Sequence, residues 1–246
     1  MKRFTILVTT ILLFGVAIAF ARGATTVSVK TTAPTVRVAA GEDVPLKYSR
    51  IYWEYNSSAN DLGVHVTLDG EDWTRLRITN PNNKLLFDVV GKGPYKNLGM
   101  TELFFEGAEP SLDDFPLADL LALFPEGEYE FDGKIAGGGK TEGTWMFSHA
   151  IPDGPLVSAE VGPNDFLKIS WTAVTTNPPG FPNKPLNIVK YQVIVEDFLV
   201  TVPANVLSLT VSPEFVATLA AGEHLYEVLA IDANANQTLR EGSFIK

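Results

Sequence analysis

Short runs alternating apolar and polar residues, each closed by a turn signal, dominate this chain, and a period of two leaves room for little but β-structure. Val64, Val66 and Leu68 fall on one face of their run, with His65, Thr67 and Asp69 on the other. Leu76 and Ile78 oppose Arg75 and Arg77, and Tyr129, Phe131 and Ile135 oppose Glu128, Glu130, Asp132 and Lys134. Trp145, Phe147 and His149 share a face. Asp69-Gly70, Pro81-Asn82-Asn83, Gly91 to Pro94 and Gly137-Gly138-Gly139 bound the runs as turns. Many short alternating strands predict an all-β chain built of two β-sandwich-like domains.

One stretch departs from this period. Leu117, Leu120, Leu121 and Phe124 recur at i, i+3, i+4 and i+7, which predicts one short helix in the first domain, laid over an open end of the sandwich. Asp114 is placed to cap it with Pro116 in its first turn, and Pro125 and Gly127 stop it.

The chain divides at Ile151 to Pro155, which reads as a linker between a first domain over 43–150 and a second over 151–246. In the second, Leu167, Ile169 and Trp171 point inward, as do Tyr191, Val193 and Val195, then Leu207, Leu209 and Val211, then Tyr226, Val228 and Ala230. The order "LKISWTAV", "YQVIVE", "LAAGEHLYEVLAIDANANQ" resembles a fibronectin type III domain. That family has a tryptophan in its second strand, a tyrosine in its third, and a Leu-x-x-Gly turn before Tyr-x-Val-x-Ala. The resemblance implies an immunoglobulin-like sandwich of about 100 residues, with Trp171, Tyr191 and Tyr226 as core anchors and a spacer or protein-interaction role. Leu225 stands where the family's tyrosine is usual and Tyr226 follows one place later, which implies a one-residue shift of the turn. Residues 43–150 resemble no family we recognise.

At the N-terminus, Lys2 and Arg3 precede an apolar run from Thr5 to Phe20 and the small residues Ala19 and Ala21. This is the order of a secretory signal peptide over 1–21, cleaved after Ala21. The run is shorter than the roughly 20 residues a membrane span needs. A lead-in segment over 22–42, rich in Thr, Ala and Val, follows as a flexible stretch or a first edge strand. The expected product is secreted or periplasmic, with no membrane span after signal removal.

Cysteine is absent, so neither disulfides, nor a CxxC zinc ribbon, nor a thiol nucleophile is available. The formal charge of −10 becomes two units more negative when Lys2 and Arg3 leave with the signal. So acidic a chain excludes nucleic acid as partner, because that binding rests on Lys and Arg at phosphates.

Candidate chemistry concentrates in "NSSANDLGVHVTLDGEDW", residues 56–73. An EF-hand loop needs glycine at position 6 and a bidentate carboxylate at 12. Starting at Asn56 puts Asp61 and Thr67 there, and starting at Ser58 leaves Leu62 at position 5. A less regular metal site from Glu54, Asn56 and Asp61 stays open, against the plainer reading of Asn60-Asp61 and Asp69-Gly70 as turn residues. Asn56 and Asn236 also head glycosylation sequons. His65, His149 and His224 read as solvated or turn residues, and no Gly-x-Ser-x-Gly elbow supports a triad.

The segment Thr101 to Asp114 carries Glu102, Glu106, Glu109, Asp113 and Asp114. Paired carboxylates held about 5–9 Å apart would suit glycoside hydrolysis, but alternation with Leu103 and Phe105 already accounts for the first two. The excursion from Thr101 to Phe124 is the best candidate recognition surface, with Phe104, Glu109, Asp113 and Asp114 as its binding residues. The plainer reading has Phe104, Leu117, Leu120 and Phe124 capping the core. The expected function is a non-catalytic binding protein without cofactor, taking a protein or glycan of the cell envelope or extracellular space. The alternatives are a carbohydrate-active or metal-dependent enzyme in 43–150, or a structural envelope component.

Overall fold

The computed structural model describes residues 41–246, so the expected signal peptide and nearly all of the lead-in segment lie outside the described residues. The first half runs β1 (Tyr48–Asn56), β2 (Asp61–Thr79), β3 (Leu85–Val90), α1 (Tyr95–Leu98), β4 (Met100–Glu106), α2 (Leu117–Leu123), β5 (Gly127–Ile135) and β6 (Lys140–Phe147). The second runs β7 (Val157–Gly162), β8 (Phe166–Trp171), β9 (Ile188–Val195), β10 (Phe198–Pro203), β11 (Ser208–Val211), α3 (Pro213–Val216), β12 (Glu223–Asp232) and β13 (Gln237–Ile245). The fold is all-β in its frame. No helix among the described residues is long and apolar enough to cross a membrane.

Strand β2 organises the first half. Its N-terminal part lies between β1 and β4, with Glu54 opposite Gly63 and His65 opposite Glu106. Its C-terminal part lies between β3 and β5, with Ile78 opposite both Phe87 and Phe131. Register shifts against β4 and β5 fall between Asp69 and Arg75, and Asp72 has a positive φ of 35°. Asp69-Gly70 is therefore not the turn expected from sequence. It sits inside a 19-residue strand, and its glycine makes room for Leu46, whose Cδ2 would lie 2.6 Å from a Cβ added there.

The β1–β2 hairpin does follow turn chemistry. The Asn56 side-chain oxygen accepts the N–H groups of Ser58 and Ala59 at 2.9 and 3.0 Å, and Asn60 takes a positive φ of 58°. Asn and Asp favour such turns for these reasons.

Ile51, Trp53, Leu62, Val64, Val66, Leu68, Leu76, Ile78, Tyr129, Phe131 and Phe147 form the first core. Helix α2 buries Leu120 against it, with Leu117, Leu121 and Phe124 at the margin. Asp114 does not cap the helix. Pro116 holds that position without a side-chain hydrogen bond, and Asp114, two residues too early, belongs to the turn in which its N–H donates to Ser111 O at 3.0 Å.

The second core draws on two sheets, β11-β8-β7 and β10-β9-β12-β13. It contains Leu167, Ile169, Trp171, Tyr191, Val193, Val195, Val211, Tyr226 and Val228. The Trp171 and Tyr191 rings lie 5.6 Å apart, and Tyr226 covers Gly242, its cross-strand partner.

The two halves share a sheet. β1 and β13 pair in parallel, Glu54 with Gln237 and Tyr55 with Thr238, so that one ten-stranded sheet runs through both. The stretch read as a linker is buried. Ile151 is fully enclosed in the first core, and Pro152 O accepts the Thr238 hydroxyl at 2.5 Å. Asn236, fully buried, accepts the Trp53 N–H at 2.8 Å and donates to Ser148 O and Ala150 O at 2.8 and 3.0 Å. Its amide is occupied inside the fold, so the folded chain offers no glycan acceptor there. Asn234 and Asn236 before β13 and Thr238 within it bond Ala150 O and Pro152 O, backbone that an exposed linker would leave to water.

Candidate functional site

The sheet face away from the first core gathers the candidate chemistry where the halves meet. Alternation puts Tyr52, Glu54 and Asn56 on this face of β1 and Asp61, Gly63 and His65 on the same face of β2. Strand β4 contributes Phe104 and Glu106, β13 contributes Gln237 and Glu241, and β12 contributes Glu227 opposite Glu241. Glu109 arrives from the loop after β4 and lies over Gly63, where an added Cβ would meet its Cγ at 2.4 Å. Glycine at this position is what lets the Glu109 side chain lie down on the sheet.

His65 is the centre of the cluster. Contrary to its reading as solvated, it is only 3% exposed, because β4, the Glu109 loop and β1 cover its face. Its Nε2 lies 3.1 Å from Glu109 Oε1 and its Nδ1 3.8 Å from Glu54 Oε2. Glu54 Oε2 also accepts a hydrogen bond from Gln237 Nε2. The Phe104 ring meets the imidazole edge-on at 5.9 Å, and the Tyr52 ring lies 5.5 Å from it.

Burial works against a charged imidazole, yet the hydrogen bond to Glu109 and the charges of Glu54, Glu109 and Glu106 raise the His65 pKa. Burial also raises Glu54, opposed by His65 and the Gln237 hydrogen bond and reinforced by Glu109 and Glu106. Asp61 is pushed up to about 6, first by burial and then by the charges of Glu109, Glu241 and Glu54. Glu227 is pushed up to about 7 by burial and by Glu54 and Glu241. Carboxylates crowded in partly dry surroundings hold their protons more tightly.

The structure thus joins residues that the sequence offered for two different reasons. Phe104 and Glu109, proposed for binding, meet Glu54, proposed for metal, at His65, and Asp61 lies in the same field. Asn56 is committed to Glu241, donating to its Oε1 at 2.9 Å, and caps its own turn. Asp113 accepts Asn60 Nδ2 at 2.8 Å beside the β1–β2 hairpin, and Asp114 is exposed in the next position. Neither is brought to His65. Phe104 is 49% exposed and takes no part in capping the core with Leu117, Leu120 and Phe124. His149 bonds to Phe124 O and His224 to Ala220 O, both at 2.8 Å and both outside the cluster.

Sequence reasoning missed His65, Gln237, Glu227 and Glu241. Asp61-x-Gly63-x-His65 was a legible signal, since a period of two puts all three on one face. The β13 and β12 residues had none, because only the parallel β1–β13 pairing brings them in. Two surface hollows, one around Asn177, Phe181 and Lys184 and one around Trp145, Asn187 and Asn234, include no residue of the cluster.

No family model matches this chain, and no curated protein does. Among solved structures, the spore cortex lytic enzyme SleM of Clostridium perfringens is similar over 39% of this chain and 28% of its own, with 16% identity and a TM-score of 0.32. A tetra-tandem repeat from the extending region of a large adhesion protein is similar over 80% of this chain and 50% of its own, with 12% identity and a TM-score of 0.25. A bacterial ice-binding adhesin is similar over 82% and 64%, with 14% identity and a TM-score of 0.26. The chain spans half or less of the first two.

Proposed function

We propose that this chain is a secreted or periplasmic, non-catalytic binding protein that takes a protein or glycan of the cell envelope or extracellular space on the sheet face around His65. Phe104 carries the reading. It is a large apolar ring left half in solvent on a paired strand, braced edge-on by a buried histidine, with Glu106 two residues along the same strand and Glu54 and Glu109 at that histidine. Aromatic contact area beside fixed polar groups is a common interface composition, and strands hold such groups more firmly than loops do. Glu54 and Glu109 both turn to His65, which favours recognition over an acid–base pair facing across an open gap.

The split of β7 to β13 into three and four strands around Trp171, Tyr191 and Tyr226 supports residues 151–246 as a fibronectin type III-like module. On this reading it serves as the spacer half and supplies β13 to the recognition face. The test immobilises the full chain and screens it against a glycan array and an envelope extract. Phe104→Ala is expected to keep its melting temperature and lose capture. Capture retained by both Phe104→Ala and Glu106→Lys would place recognition elsewhere.

A further inference from the structure

We propose that Glu54, His65 and Glu109 hold a divalent cation of the zinc class. One donor atom from each of the three lies within 4.8 Å of the others. Ligands about 2.0–2.2 Å from a tetrahedral ion stand roughly 3.3–3.5 Å apart, so the widest-set pair closes by at most about 1.5 Å. Small swings of two glutamate side chains supply that, and the backbone stays where the β1–β2 pairing puts it. The donor types select the ion. An imidazole nitrogen with carboxylates suits zinc and its transition-metal neighbours, whereas calcium asks for six to eight oxygens.

The surroundings are built for such an ion. Gly63 leaves the space that Glu109 fills, and the Gln237 amide orients Glu54 from a neighbouring strand, as partners of metal-bound carboxylates do. His65 is 3% exposed, and one of its ring nitrogens takes the ion; Glu54 and Glu109, which face its two different nitrogens at 3.8 and 3.1 Å, both turn to that one side to complete the set. Glu106 on β4 and Glu241 on β13 add like charge on the same face. One histidine balances little of that charge, and a dication balances more. Three protein ligands leave a coordination position open. Resting on the recognition reading above, that position takes a carboxylate or hydroxyl oxygen of the partner beside Phe104.

The competing arrangement is a plain ion pair, a protonated His65 between two carboxylates. To separate them, the full chain is stripped with chelator and dialysed against zinc chloride alone, without partner. Bound metal is counted and the melting temperature followed. The expected result is one zinc per chain and an upward shift of several degrees, since ligands of the folded state stabilise it. Glu109→Gln should still fold and bind zinc about tenfold or more weakly. If that variant does not fold, Glu54→Gln is read in the same way. No zinc uptake, uptake unchanged in the folded variant, or uptake of calcium in preference to zinc overturns the site. Because no partner is present, each of these leaves the capture test of Phe104 standing on its own.

Discussion

Asn236 shows how much one polar residue does where two cores meet. Its amide closes three hydrogen bonds with backbone groups of Trp53, Ser148 and Ala150, all from the first half. Asn236→Ala would leave the Trp53 N–H and Ser148 O unpaired, each at about 1–3 kcal/mol, while Ala150 O keeps the Asn234 amide at 3.0 Å. The expected loss is at least about 2 kcal/mol, measurable by urea denaturation. A loss of a few tenths would mean that water replaces the amide and that the clasp is dispensable. Sequence marked this asparagine only as a glycosylation sequon. Its structural role depends on a contact 183 positions away in the chain, which no local pattern encodes. His65 was opaque for a related reason. Alternation gave its face correctly, but the loop that brings Glu109 over that face follows a different strand.

Strands were the most legible elements. The alternation at Val64 to Leu68, Leu76 to Ile78 and Tyr129 to Phe131 predicts which residues enter the first core, and those residues are there. The stripe from Leu117 to Phe124 likewise predicts α2, whose burial of Leu120 fixes its orientation. What failed were boundaries. Asp69-Gly70 has turn composition but serves a close packing contact, and Ile151 to Pro155 has linker composition, yet Ile151 is enclosed in the first core and Thr238 clasps the Pro152 carbonyl. Composition reports what a backbone can do, and packing decides which option is used. The clasp has a consequence for proteolysis. Cleavage needs exposed, locally open backbone, so limited digestion of the folded protein should spare residues 151–155. Rapid release of a fragment beginning near Gly154 would show that this segment opens more easily than its buried contacts imply.

At the scale of the whole molecule, the parallel β1–β13 pairing places the acids of both halves on one face, and that arrangement makes folding sensitive to pH. Glu227 stands opposite Glu241 and within the field of Glu54, and its pKa is raised from 4.5 to about 7. An unfolded chain releases this proton near 4.5, while the folded chain keeps it until about 7. Between those values the folded state binds more protons, so its stability falls as pH rises. The raised His65 pKa acts in the same direction above its ordinary value, as stability gained from the charged imidazole is lost. In chelator, the melting temperature should therefore decline from pH 5 to pH 7. Glu227→Gln, which removes one titrating group and its charge, should make that decline shallower and leave the protein more stable at pH 7 than the parent. An identical slope in the variant would mean that Glu227 is solvated well enough to ionise normally, and that the two halves meet less tightly on this face than the shared sheet requires.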